Sequence, residues 1–257
     1  MSAPKTLLFI PTFNERDNVE TIYRQIKGLA LDLDLLFVDD NSPDGTGQIL
    51  DQIARQDDRL RVMHRPGKLG IGSAHLQAID WAYQQGYTTV ISMDCDLTHP
   101  TEHIPDLLQY ADRFDVVLGS RFIQADSLAD WNPFRKFLTH LGHFLTRHVL
   151  RVPYDATGGF RLYRVDKINP KLFKFVESTG YSFFFESLYV LCLSGARVKE
   201  VPIALPKRTY GHSKMRWADV FASLRRLVTL YLRSFQYKSR LRELTGSTAE
   251  RVFHAGS

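Results

Sequence analysis

Asp94-Cys95-Asp96 stands where the chain leaves a segment that reads as an uninterrupted buried strand, Thr89–Met93, and enters a polar loop. Two carboxylates two residues apart at a strand end can both reach one ion. Hard oxygen ligands suit Mg2+ or Mn2+, and Mg2+ is usually held by one or two carboxylates together with substrate phosphates. The plainer reading is a turn, because Asp is common in turns and Thr98-His99-Pro100 follows. Neighbouring acidic loops favour the ligand reading. Asp39 and Asp40 end another apolar run, Leu35–Val38, at a place where nucleotide-binding folds often hold a ribose hydroxyl with a carboxylate. Asp44 and Gly45 read as a turn that caps the next helix. Glu15 closes a third such loop, Pro11-Thr12-Phe13-Asn14-Glu15.

Basic side chains able to answer phosphate lie in the second half of the chain: Arg121, Arg135, Arg208 and Lys214. An Arg fork binds phosphate oxygens in pairs. Arg121 sits at a ligand-facing strand end and so is the least easily dismissed as a surface charge. Arg208 and Lys214 sit in a basic polar stretch without period, which is either a loop that closes on a charged ligand or an inert connection.

Other chemistries lack their residues. Gly70-Ile71-Gly72-Ser73-Ala74-His75 has His75 in place of the third glycine and follows the third strand, which argues against a dinucleotide fingerprint. These glycines read as loop hinges, with Lys68 beside them as a candidate ligand contact. No GxxxxGK[ST], HExxH or GxSxG occurs. His140 and His143 share a helix face without carboxylate or thiol company, so that helix reads as an amphipathic surface. Cys95 lies between two aspartates, a poor setting for a thiolate.

The elements that must carry these loops follow from hydrophobic pattern. Thr6–Ile10, Leu35–Val38, Leu60–Met63, Thr89–Met93 and Val116–Leu118 read as short buried strands. Helical patterns, Asn18–Leu29, Gly47–Arg55, Gly72–Gln84 and Pro105–Tyr110, alternate with them. That rhythm predicts an α/β fold, a mostly parallel twisted sheet with helices on both faces. Ligands in such folds bind beyond the carboxyl ends of the strands. After Gly119 the spacing predicts helices over Phe134–Leu150 and Phe183–Leu193, strands over Phe160–Tyr163 and Val198–Ile203, and one long basic amphipathic helix over Arg216–Tyr237. Residues 1–245 read as one domain, and 246–257 as a frayed tail.

The whole chain has 257 residues, 44% hydrophobic and 24% charged, with a net charge of +5 and two distant cysteines. This excludes disorder and a disulfide framework, and points to a reducing compartment. No segment has the roughly 20 apolar residues of a transmembrane helix. The basic excess permits an anionic partner without selecting one. The basic residues form no single run, which argues against nucleic acid. The expected location is cytoplasmic. Trp131–Leu138 and Arg216–Arg240 mix aromatic with basic residues, as interfacial helices do, although core packing with a solvated face explains them equally.

In order, PTFNE (11–15), VDDNSPDGT (38–46), KLGIGSAH (68–75), MDCDLTHP (93–100), GSRF (119–122), TGGFRLYR (157–164) and VPIALPKRTYGHSKM (201–215) resemble the inverting family 2 glycosyltransferases of the GT-A fold. Within them the set looks like the dolichol-phosphate (polyprenyl-phosphate) mannose synthases. The likeness runs from about Thr6 to Met215.

It implies transfer of mannose from GDP-mannose to a polyprenyl phosphate at the cytoplasmic face of a membrane, with Mg2+ or Mn2+. It also implies peripheral attachment through amphipathic helices or a membrane subunit. A related transferase using UDP-glucose or a polysaccharide acceptor is the rival, and a non-catalytic sugar-nucleotide module a further one. The implied roles are Pro11, Thr12, Glu15, Val38, Asp40 and Lys68 for the nucleotide sugar, and Asp94 and Asp96 for the metal. Arg121 and Arg135 would face the acceptor and donor phosphates, and Arg208 and Lys214 would close on the diphosphate. Thr139 and Glu186 would contact the acceptor. Two positions depart from the family pattern: Cys95 stands where Ala is frequent, and Thr98 where some members have a metal-binding Gln.

Overall fold

Leu7, Leu8, Phe9 and Ile10 are all buried in the first strand, β1 (Thr6–Thr12). A strand with both faces covered belongs in the middle of a parallel sheet. The computed structural model describes residues 5–124, 127–128, 133–205 and 217–245. In it β1 pairs in parallel with β2 (Asp34–Asp39) on one side and β4 (Thr89–Ser92) on the other. β3 (Leu60–His64) lies beyond β2. The seven-stranded order is β3-β2-β1-β4-β6-β5-β7, with β5 at Val116–Ser120, β6 at Arg161–Tyr163 and β7 at Val198–Pro202. Only β6 runs antiparallel, between β4 and β5.

Side chains alternate between two cores. Leu7, Phe9, Leu36, Val38 and Val90 face α3 (Ile71–Gln84) and α6 (Phe183–Leu193). Leu8, Ile10, Leu35, Phe37 and Ile91 face α1 (Arg16–Gly28), α2 (Thr46–Ala54) and α4 (Ile104–Leu108). Chain order reverses between β1 and β4, so their carboxyl ends part and leave a crevice there.

α5 (Pro133–His148) follows the predicted helix. The long helix predicted over Arg216–Tyr237 is instead two, α7 (Trp217–Leu232) and α8 (Ser234–Thr245). Buried Leu227, Leu230, Tyr237 and Leu241 keep a helical spacing through the break, so periodicity alone does not reveal it. A hydrogen bond of 2.8 Å from Arg226 Nη2 to Tyr237 Oη links the two helices across the break. A straight helix would separate residues eleven apart by about 16 Å along its axis, beyond what these two side chains span. The tail 246–257 lies outside the described residues.

Candidate active site

A cleft of about 450 Å³ opens at the β1/β4 crevice. Asp94, Cys95 and Asp96 form one side. Pro11, Phe13 and Glu15 come from the β1 loop, and Asp40 from the β2 loop. Lys68–Gly70 come from the loop that leads into α3, and Ile71 and Ala74 from its first turn. Thr179, Gly180, Tyr181 and, from α7, Asp219 complete the wall. Among the expected residues the fold therefore brings together Pro11, Glu15, Asp40, Lys68, Asp94 and Asp96.

The loops are tied to one another. Asn14 N–H donates to Ser42 Oγ, Glu15 N–H to Thr46 Oγ1, and Arg16 N–H to Asp44. Asp44 also takes the Thr46 N–H at 3.0 Å, the structural role expected of it. Asp96 is 6% exposed, and its Oδ1 accepts the Thr98 N–H at 3.1 Å and the Thr98 hydroxyl at 2.6 Å. Thr98 thus aims Asp96. Leu97 between them has φ 60, a left-handed value costly for a branched side chain and typical of constrained functional loops. His99 Nδ1 accepts the Asp94 N–H at 3.0 Å, so that nitrogen carries no proton and its 4.0 Å approach to the Asp94 carboxylate is no ion pair.

Asp40 is held by Arg65, Nη1 to Oδ1 at 2.7 Å. Burial pushes the Asp40 carboxyl above the ordinary range, and Arg65 offsets this only in part. Arg65 also donates to Ser73 Oγ and so ties the β2 loop to α3. Lys68 Nζ lies 4.4 Å from the centre of the Phe13 ring, a cation–π contact at the mouth.

Arg121 grips Asp155 through Nε at 2.8 Å and Nη2 at 2.6 Å, with Nη2 also 2.5 Å from Thr157 Oγ1. Burial alone would raise the Asp155 carboxyl, but the charge and hydrogen bonds of Arg121 outweigh it and hold the group at about 2. Asp94 is near enough for its charge to help keep Arg121 protonated. Nη1 hydrogen-bonds none of the described residues.

Several expectations need correction. Val38 is wholly buried in the core, and Thr12 turns its hydroxyl to Asp39 Oδ1 at 3.1 Å; neither lines the cleft. Glu186 is 0% exposed, and its carboxylate accepts from Arg226, from Ser178 Oγ and from the N–H groups of Glu177 and Ser178. Those bonds leave it no route to an acceptor. Gly70 and Gly72 are close-contact glycines rather than hinges: a Cβ would meet Thr179 O at 2.4 Å from Gly70 and Ser178 O at 2.7 Å from Gly72. Thr139 is half-buried on α5 and does not line this cleft, which leaves its expected acceptor contact untouched. The Arg135 side chain, Arg208 and Lys214 lie outside the described residues.

Sequence reasoning missed Phe13, Arg65, Asp155, Thr179–Tyr181 and Asp219. A charge directly after β3 marks Arg65 as a residue at the ligand edge of the sheet. Asp155 lies 34 residues from Arg121 and carries no local signal.

Residues 8–169 match the family model described as "Glycosyl transferase family 2". The chain belongs to glycosyl transferase family 2. Along 219 residues it is 36% identical to the polyprenol monophosphomannose synthase of Mycolicibacterium smegmatis, covering 84% of this chain and 83% of that one. Along 212 residues it is 34% identical to the undecaprenyl-phosphate mannosyltransferase of Micrococcus luteus, covering 82% and 87%. Among solved structures, glucosyl-3-phosphoglycerate synthase from Mycobacterium tuberculosis, in complex with Mn2+, UDP and glucosyl-3-phosphoglycerate, superposes with a TM-score of 0.57. It is 18% identical and covers 90% of this chain and 80% of that one. That likeness establishes a shared GT-A fold. The mixed sheet with helices on both faces is thus the architecture of a family 2 transferase, as its motifs imply.

Proposed function

We propose that this family 2 transferase moves mannose from GDP-mannose to a polyprenyl phosphate, with inversion at the anomeric carbon. The observation that carries the substrate class is the pair of relatives above 30% identity over more than four-fifths of the chain, both named for mannose transfer to this lipid class. The cleft supports it, because the carboxylates of Asp94 and Asp96 and the ammonium of Lys68 line one space of about 450 Å³.

Asp94 and Asp96 suit a divalent cation. Both face the cleft, and no third His, Cys, Asp or Glu joins them in a metal-binding group among the described residues. That is the donor set of a Mg2+ or Mn2+ ion shared with substrate phosphates rather than caged by protein. The ion, when bound, supplies positive charge against the leaving diphosphate. Thr98 keeps Asp96 aimed. Glu15 and Asp40 face the nucleoside end, and Lys68 adds charge at the mouth. Arg121, fixed by Asp155, offers Nη1 to the acceptor phosphate. An acceptor phosphate is already anionic near neutral pH, so no strong general base is required. Positioning and electrostatics supply the rate. Arg135, Arg208 and Lys214 add phosphate contacts in this reading.

Phe137, Leu141 and Phe144 on α5, and Trp217, Phe221, Leu224, Val228 and Tyr231 on α7, form exposed stripes at three- and four-residue spacing, with Arg225 and Arg233 exposed beside the α7 stripe. Aromatic and basic residues mixed in this way suit the surface of an anionic bilayer, where the acceptor resides. No described helix is long and apolar enough to cross a membrane.

The test is transfer of labelled mannose from GDP-mannose to a short polyprenyl phosphate with Mn2+, by wild type and Asp96→Ala. Organic-extractable label, lost in the variant and with EDTA, is the expected result. Turnover with another nucleotide sugar but not GDP-mannose would retain the fold and replace the donor.

A further inference from the structure

Arg226 makes an unusual set of contacts for a residue outside the cleft. Its Nε and Nη2 donate to the two oxygens of Glu186 at 3.0 and 2.5 Å, and its Nη1 donates to Glu177 Oε2 at 2.8 Å. Glu186, wholly buried on α6, passes the tie onward by accepting the N–H of Glu177 at 2.8 Å and of Ser178 at 3.1 Å. The next residues, Thr179–Tyr181, are cleft wall, and Thr179 O accepts the Ser73 N–H of α3 at 3.1 Å. Arg226 sits two turns along α7 from Asp219, itself a cleft residue, while the exposed apolar stripe lies on another face of the same helix.

We propose that Arg226 is a positioning residue for donor binding: through Glu186 it holds the 177–181 segment against α3, so the helix that presents the apolar face also sets one wall of the donor cleft. The proposal rests on the donor reading above. A buried carboxylate whose partners are two backbone N–H groups, the Ser178 hydroxyl and one guanidinium fixes backbone more tightly than packing alone, because each lost bond strands a buried polar group.

Arg226→Lys keeps the charge and loses the fork. Binding of GDP with Mn2+ is measured by calorimetry, with donor KM, kcat and Tm alongside. The expected result is a Kd and donor KM raised about fivefold or more, kcat at saturating donor and acceptor KM within about twofold of wild type, and a small change in Tm. Tyr237→Phe removes only the phenol that accepts from Arg226 and is the second variant should Arg226→Lys fold poorly. It is expected to weaken GDP binding about twofold at wild-type Tm. Unchanged GDP affinity in a folded variant, or weakening that merely follows a falling Tm, overturns the proposal. Wild type that neither binds GDP nor transfers mannose fails the donor reading instead, so the two failures are distinct.

Discussion

Replacing Asp155 by asparagine takes the charge from the partner of a guanidinium whose side chain is 9% exposed. Arg121 would then lie buried with only the weaker influence of Asp94 to balance it, a loss on the order of 3 kcal/mol. The expected outcome is a clear fall in Tm together with transfer reduced at least about tenfold, because Nη1 is no longer aimed. Equal turnover in Asp155→Asn and wild type would remove Arg121 from the acceptor site. Thr98→Val makes the complementary test for Asp96. Losing its hydroxyl donor should raise the Mn2+ concentration for half-maximal activity several-fold at unchanged Tm. The aspartate pair was legible in sequence because its loop follows an apolar strand. Asp155 and the buried pairing of Glu186 with Arg226 were not, since each acts through a side chain distant in the chain, and Arg65 was signalled only by its place directly after β3.

Gly70 and Gly72 show how the start of α3 is shaped by what packs on it. Gly72 would place a Cβ 2.7 Å from both Phe183 Cβ and Ser178 O. Gly72→Ala should therefore cost about 1–3 kcal/mol by overpacking and raise the donor KM, since Thr179–Tyr181 would have to retreat from the cleft. Gly67→Ala, with open space around the added carbon, is the control and should leave both quantities unchanged. Equal donor KM in both variants would show that the 178–183 contact does not shape the cleft. Periodicity located α1 to α4 well because each buries one face, and α6, buried at every residue, shows as an apolar run long enough for a helix. It missed the break between α7 and α8, because the buried apolar spacing continues through it.

Across the molecule, alternating buried strands and helices made the parallel half of the sheet readable. The antiparallel β6 was not, because three residues between two neighbours carry no orientation signal. The same burial that builds the core opposes protonation of His75. His75 is 1% exposed among Phe9, Phe183 and Phe184, and donates through Nδ1 to Ile71 O at 2.8 Å. Burial, aided by the charge of Arg161, lowers its pKa to about 3. The unfolded chain takes up this proton near pH 6.5 and the folded one does not, so the His75 contribution is present above about 6.5 and is lost as pH falls toward 3. Asp155, held at about 2, adds a loss of the same sign below about 4. Asp40 and Glu200, both raised by burial, act in the opposite sense, so total acid sensitivity is not diagnostic. The difference between variants is. His75→Phe should lower Tm at pH 7 by removing the bond to Ile71 O, yet lose less Tm than wild type between pH 7 and pH 4.5. Parallel Tm curves across that interval would mean that another group carries the acid response.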